Sequence, residues 1–197
     1  IGDIRDEKVQ RELFQKQFLG SSPYKLVANI PYYITGILFR LFLEKLPAHP
    51  KLNAGGRQPS MLVFLVQKEV AEQIVARPNP AKQNRRAGKE SIFSLAVKAF
   101  GTPAYIAKVK REAFAPPPKV DSAIIAITDI SRVRLGKLHD EEYFRVVKAG
   151  LGSKRKMLLG NLSRGLKIPK EKLVRIFKKL NIEKSVRGED VPVEKWL

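Results

Sequence analysis

Residues 26–35 read LVANIPYYIT. An apolar run that looks like a strand breaks into an amide, an Ile-Pro pair and two tyrosines. A strand can stop on Gly or Asp, so these residue types ask for a second explanation. Pro31 fixes its own φ and has no N–H. Ile30, ahead of it, is pushed out of the helical region into an extended shape. Together they make a stiff bracket. It can aim the Asn29 side-chain oxygen and the Ile30 carbonyl oxygen the same way, with the face of Tyr32 beside them. Two converging acceptors suit an exocyclic amine, and a flat aromatic face suits a base. Read alone, the stretch is equally a strand-exit turn, because Asn and Pro are common turn residues.

Outward from this stretch, KLVANI (25–30) reads as a buried strand and GILFRLFLEKL (36–46) has helical spacing, stopped by Pro47. A loop (47–59) leads to a second apolar strand, SMLVFLV (60–66), and a helix, QKEVAEQIVA (67–76). Strand, helix, strand, helix predicts a parallel α/β sheet. Asn29 then stands at the carboxyl end of a parallel strand, where open α/β sheets bind ligands. After an acid-free basic loop (77–89), ESIFSLAVKAF (90–100) reads as a helix. AYIAKVK (104–110) and SAIIAIT (122–128) read as strands. From about 132 only amphipathic helical segments follow: DEEYFRVVKAGL, KRKMLLGNLSRGL and KEKLVRIFKKL. That shift places a domain boundary near 130.

Charge bounds the function. The 197 residues carry 38 Lys+Arg against 19 Asp+Glu, a net of +19. Such a balance is the footprint of a polyanionic partner. Residues 132–197 hold 18 basic and 8 acidic side chains, a denser excess than the 20 and 11 of residues 1–131. Arg85, Arg86 and Lys89 in the acid-free loop, and Lys154, Arg155 and Lys156 at the expected start of a helix, are the candidate phosphate contacts, with Lys119 beside the proline run. The chain has no cysteine, which excludes disulfides and thiolate metal sites and suggests a reducing compartment. His49 and His139 are isolated, so no metal is expected. No apolar run approaches membrane-spanning length, and a cytoplasmic protein is expected.

A second motif sharpens the first. FAPPPKVDSAIIAI (114–127) sets Phe114 before three consecutive prolines, a rigid extended mount. One aromatic on such a mount is a plausible wall opposite Tyr32 for a flipped base. Adenine fits the pair chemically. Its N6 lone pair is delocalised into the ring and is a poor nucleophile. Accepting both N6–H bonds favours a pyramidal nitrogen that can attack a methyl group, and stabilises the charge that develops there. Glu69 has no task in this chemistry and reads as a first-turn helix acid.

NIPYYIT, LVQKEVAEQIVA (65–76) and FAPPPKVDSAII (114–125), in this order, resemble the ribosomal RNA adenine dimethyltransferases, which use S-adenosylmethionine. SKRKMLLGNL (153–162) is similar to their helical-domain signature and VRGEDVPVEKWL (186–197) to their closing segment, so the resemblance covers nearly the whole chain. It implies a Rossmann-like S-adenosylmethionine-dependent methyltransferase sheet, N-terminally incomplete, over residues 1–130. A small all-helical RNA-binding domain over 131–197 would follow. The family's Asn-Leu-Pro-Tyr motif falls on Asn29, Ile30, Pro31 and Tyr32, with Ile for Leu. Its base-stacking Phe falls on Phe114. Its acid near the cofactor adenine falls on Asp3, with Asn29 also at the cofactor. The family's glycine-rich loop after the first strand, and the acid that holds the ribose, are not found. The chain therefore looks like the carboxyl-terminal two-thirds of such an enzyme.

The implied activity is N6-dimethylation of two adjacent adenosines in a hairpin near the 3′ end of small-subunit ribosomal RNA, during ribosome biogenesis. The implied partner is that RNA or the immature small subunit, met by a monomer with no membrane attachment. Two alternatives stay open: a non-catalytic ribosomal RNA-binding or assembly factor, and an adenine methyltransferase acting on large-subunit RNA or DNA.

Overall fold

The computed structural model describes residues 3, 4, 6, 8, 9, 24–45, 59–75 and 88–197. Among them, four strands form one sheet in the order β1-β2-β4-β3. Strand β1 (Lys25–Asn29) exits through a 3-10 turn (Tyr32–Ile34) into helix α1 (Thr35–Arg40), which widens into a π turn over Leu41–Lys45. Strand β2 (Met61–Gln67) follows and runs straight into helix α2 (Lys68–Val75). Helix α3 (Ile92–Phe100) precedes β3 (Thr102–Val109) and β4 (Ser122–Thr128). Then come α4 (Asp140–Leu151), α5 (Leu158–Leu166) and α6 (Lys170–Lys179), with no further strand among the described residues.

β1 and β2 pair parallel, as their helical crossover requires, but β2 and β4, and β4 and β3, pair antiparallel. The parallel pairing expected from the strand-helix rhythm holds for β1 and β2, and the two later strands, to which the rhythm gave no direction, make the sheet a mixed one. The rhythm breaks after α2. Among the described residues α2 is followed by α3, and β3 then joins β4 through a loop with no crossover helix, which permits only the antiparallel return.

β2 and β4 are central and nearly continuous in apolar residues; one face of β2 is buried and the other half-buried, while β4 is buried along most of its length. Leu62, Phe64, Val66, Ile125 and Ile127 are almost wholly buried. Phe39 of α1 meets Phe64 of β2 and Phe93 of α3 edge-on, with ring centroids at 5.2 and 5.5 Å.

The helical third shares this core. Tyr143 is fully buried, and its hydroxyl donates to the Leu95 carbonyl of α3 at 3.1 Å; burial pushes its pKa up, so it stays a donor. Arg134 donates to the carbonyls of Lys98 and Gly101 and to the Thr102 hydroxyl, at 2.7–3.0 Å. These bonds satisfy carbonyls at the end of α3 that have no helical partner. α4 and α5 approach closely: a methyl group at Gly165 would lie 2.6 Å from the Ala149 Cβ.

Candidate base-binding site

The two sequence motifs meet at one lip of the sheet. Asn29 ends β1 and is exposed, and its amide has no hydrogen-bond partner among the described residues. Ile30 is buried and acts as the anchor of the bracket. Pro31 is exposed with an extended backbone (φ −59°, ψ 132°), and its carbonyl accepts from the Ile34 N–H at 3.1 Å, closing the turn that carries Tyr32. Tyr32 is half-buried, and its hydroxyl lies 2.6 Å from the Ser122 Oγ, the first residue of β4. Tyr33, next to it, is 80% exposed.

Phe114 follows a 3-10 turn, Arg111–Ala113, and is half-buried in extended backbone. The residues around it (Ala113, Ala115, Pro116 and Pro117) are exposed. That turn is fixed from beneath. Asp121 Oδ1 accepts from the Arg111 N–H at 3.1 Å, and Oδ2 pairs with Lys108 Nζ at 2.7 Å. The Lys108 ammonium, and after it the Arg111 N–H, hold the Asp121 carboxyl below the usual carboxylate range. Lys119 is exposed beside a hollow of about 600 Å³ that Lys68, Arg111 and Asp121 also line.

The basic residues divide. Arg85 and Arg86 lie outside the described residues, as does His49. Lys89 pairs with Glu189, and with Asp190 at 3.3 Å, so its charge meets carboxylates of the closing segment. Lys154, Arg155 and Lys156 are exposed and enter no ion pair among the described residues. They occupy the turn before α5 rather than its first turn, since α5 begins at Leu158. That turn is tethered by a residue the sequence did not single out. Asn161, 5% exposed, donates from Nδ2 to the carbonyls of Gly150 and Ser153 at 2.8 and 2.9 Å. An asparagine inside an apolar helical stripe was its signal. The signal for Ser122 was a hydroxyl opening an otherwise apolar central strand.

Asp3 is exposed on a turn, its carbonyl accepting from the Asp6 N–H at 2.9 Å. Gly150-Leu151-Gly152 is a Gly-x-Gly by spelling, but it ends α4 rather than joining a strand to a helix. It is not a cofactor loop. Glu69 sits in the first turn of α2. His139 precedes α4, where its N–H donates to the Glu142 carboxylate at 3.3 Å. No cluster of potential metal ligands occurs among the described residues. None of their helices is long and apolar enough to cross a membrane. A cleft of about 980 Å³ lies away from Asn29, between α2, the start of α3 and the α4–α5 turn. Four lysines and four glutamates line it.

Residues 5–197 match the family described as ribosomal RNA adenine dimethylase. The chain is 34% identical to ribosomal RNA small subunit methyltransferase A of Dehalococcoides mccartyi, over 91% of this chain and 56% of that protein. It is 35% identical to the protein of the same name from Rippkaea orientalis, over 100% and 66%. The chain thus spans a little over half to two-thirds of the length of these curated relatives. Its fold is similar to the crystal structure of the 23S rRNA methyltransferase ErmE (TM-score 0.63, 21% identity, 98% of this chain and 76% of that one). It is equally similar to a dimethyladenosine transferase from Plasmodium falciparum (TM-score 0.63, 20% identity, 97% and 76%). With the family matched over nearly all its length, this chain belongs to the ribosomal RNA adenine dimethylases.

Proposed function

We propose that the protein transfers methyl groups from S-adenosylmethionine to N6 of two adjacent adenosines in a 3′-end hairpin of small-subunit ribosomal RNA. It would act as a cytoplasmic monomer on the immature subunit. The observation that carries this reading is the 2.6 Å bond between Tyr32 and Ser122, which joins the NIPY turn to the FAPPPKVDS segment across 90 residues of chain. Family membership supports it, and so do the names of the curated relatives.

The residues at the lip fit the acceptor half of such a site. The Asn29 amide is exposed with its oxygen available, and with the Ile30 carbonyl it would accept both N6–H bonds. The nitrogen lone pair is then freed, and the developing charge is met by acceptors already in place. Tyr32 and Phe114 would sandwich the extruded base, excluding water from its faces. No strong base is needed, because the methylated nitrogen is acidic enough to lose its proton afterwards. Holding the base in line with the donor contributes most of the remaining acceleration.

Asp3 and Asn29, both exposed, fit the edge of a cofactor site. When bound there, S-adenosylmethionine supplies an electrophilic methyl group on sulfonium. These are the two cofactor contacts proposed for this chain. Lys119, Lys154, Arg155 and Lys156 are the exposed cations proposed to meet RNA phosphates; Arg85 and Arg86 join the proposal from the sequence. Lys89 is expected to contribute less, because its ammonium is already paired.

The test is methyl transfer by the protein at its full encoded length onto unmethylated small subunits, followed by nucleoside analysis. Dimethyladenosine at two neighbouring positions is expected. Tight RNA binding with no methyl transfer would replace this reading with that of an assembly factor.

A further inference from the structure

Stacking explains why Tyr32 and Phe114 are aromatic. It does not explain what holds their faces in register, since one rides on the β1 exit and the other on the β3–β4 loop. Ser122 and Asp121 answer that. Ser122 has no exposed surface, and it sits between Gln67 of β2 and Val109 of β3. Among the described residues, Tyr32 is the one side chain its hydroxyl bonds. Asp121, the residue before it, fixes the Arg111 N–H at 3.1 Å, and so the turn that delivers Phe114. The Asp121 carbonyl also accepts from the Lys68 N–H at 3.0 Å, which ties the pair to the start of α2. Two consecutive residues therefore grip the tyrosine wall and the mount of the phenylalanine wall.

We propose that Ser122 is a positioning residue for methyl transfer: its buried hydroxyl sets the plane of the Tyr32 ring relative to Phe114. The inference rests on the function proposed above. A buried hydroxyl that loses its partner cannot replace it with water, so the bond tolerates no substitute geometry. Stacking depends on the ring and not on its hydroxyl. If Tyr32 acts only by stacking, Tyr32→Phe is silent; if Ser122 sets the ring, Tyr32→Phe is costly. An ångström of misplacement can lower a rate by about 100-fold, and a tilted wall should cost about ten-fold.

The experiment is steady-state methyl transfer to unmethylated small subunits by the full-length protein. The variants are Tyr32→Phe, Ser122→Ala, the pair together, and Ser122→Thr, which keeps a hydroxyl. Tyr32→Phe and Ser122→Ala are each expected to lower kcat about ten-fold, with KM and RNA affinity within about two-fold of wild type. The double variant should be no slower than either single one, because both remove the same bond. Ser122→Thr should restore most of the lost rate. A second readout is RNA with 2-aminopurine at the target position. Its fluorescence should be less quenched in Tyr32→Phe and Ser122→Ala than in wild type. Tyr32→Phe and Ser122→Ala variants that match wild type, or losses that multiply in the double variant, would overturn the inference while leaving the proposed function intact. A wild-type protein that transfers no methyl group would overturn both.

Discussion

The lip of the sheet and the turn before α5 are both polar surfaces, and they are built in opposite ways. At the lip most charges are paired with one another, Lys108 with Asp121 and Arg111 with Glu112, while exposed Lys119 enters no ion pair among the described residues. The Tyr32 hydroxyl is bonded to Ser122, and the turn that carries Phe114 is bonded to Asp121, while the Asn29 amide has no hydrogen-bond partner among the described residues. At the turn, three cations stand exposed and unpaired among the described residues, and only the backbone beneath them is held, by Asn161. The first arrangement acts within an ångström or two and is insensitive to salt. The second acts through a field that reaches about a Debye length, roughly 8–10 Å at ordinary ionic strength. On the function proposed above, the first region would do chemistry on a single base. The other is suited to attracting a polyanion without reading it.

Damage to each region should therefore show up in a different measurement. The largest effect is expected at Asn29. Asn29→Ala should lower kcat by about 10²–10³-fold, the range for losing one preorganised polar group at a reacting centre. RNA affinity should stay within about two-fold, and turnover near wild type would remove Asn29 from the chemistry. Next is Phe114. Stacking is worth about 1–3 kcal/mol per base, so Phe114→Ala should slow methylation more than Phe114→Leu, and Phe114→Trp should be mild. Equal rates for all three would make Phe114 a packing residue.

Reversing Lys154, Arg155 and Lys156 together should leave kcat at saturating RNA unchanged. It should flatten the slope of log K against log salt, by about 0.7–0.9 for each RNA phosphate that is no longer neutralised. An unchanged slope would move the phosphate-binding face elsewhere, with Arg85 and Arg86 the first alternative. The smallest effect is expected at Gly165. Gly165→Ala forces a methyl group against Ala149, and should cost about 1–3 kcal/mol of stability by thermal melting, with no change in kcat for the protein that remains folded.

The two regions were also unequally legible in the sequence. Runs such as MLVFLV and AIIAI announced central strands, because strands covered on both faces need unbroken apolar residues. The bracket at Asn29, Ile30, Pro31 and Tyr32 was legible because proline constrains its neighbours locally. Strand direction after β2 was not legible from rhythm alone, because it is decided by whether a helix intervenes between β3 and β4. Ser122 and Asn161 escaped for a related reason. Their partners lie 90 and 8–11 residues away, and a hydrogen bond between distant residues leaves no periodicity. The basic triplet was legible, but its place in a turn was not, since helix α5 could have begun at any of several residues there.

The close of the chain carries a further consequence. Trp196 is the protein's single tryptophan, 8% exposed, with its indole N–H donated to the Val191 carbonyl at 3.1 Å. Its ring sits so near Gly150 that a methyl group there would come within 2.5 Å of it. The turn just before it, Val193–Lys195, packs on α3, which belongs to the sheet-bearing part. The indole is therefore a built-in optical probe of the seam between sheet and helices. Its emission should shift to the red at the temperature where the far-ultraviolet signal of the whole fold is lost. An earlier shift would mean that the helical third peels away from the sheet before the rest melts.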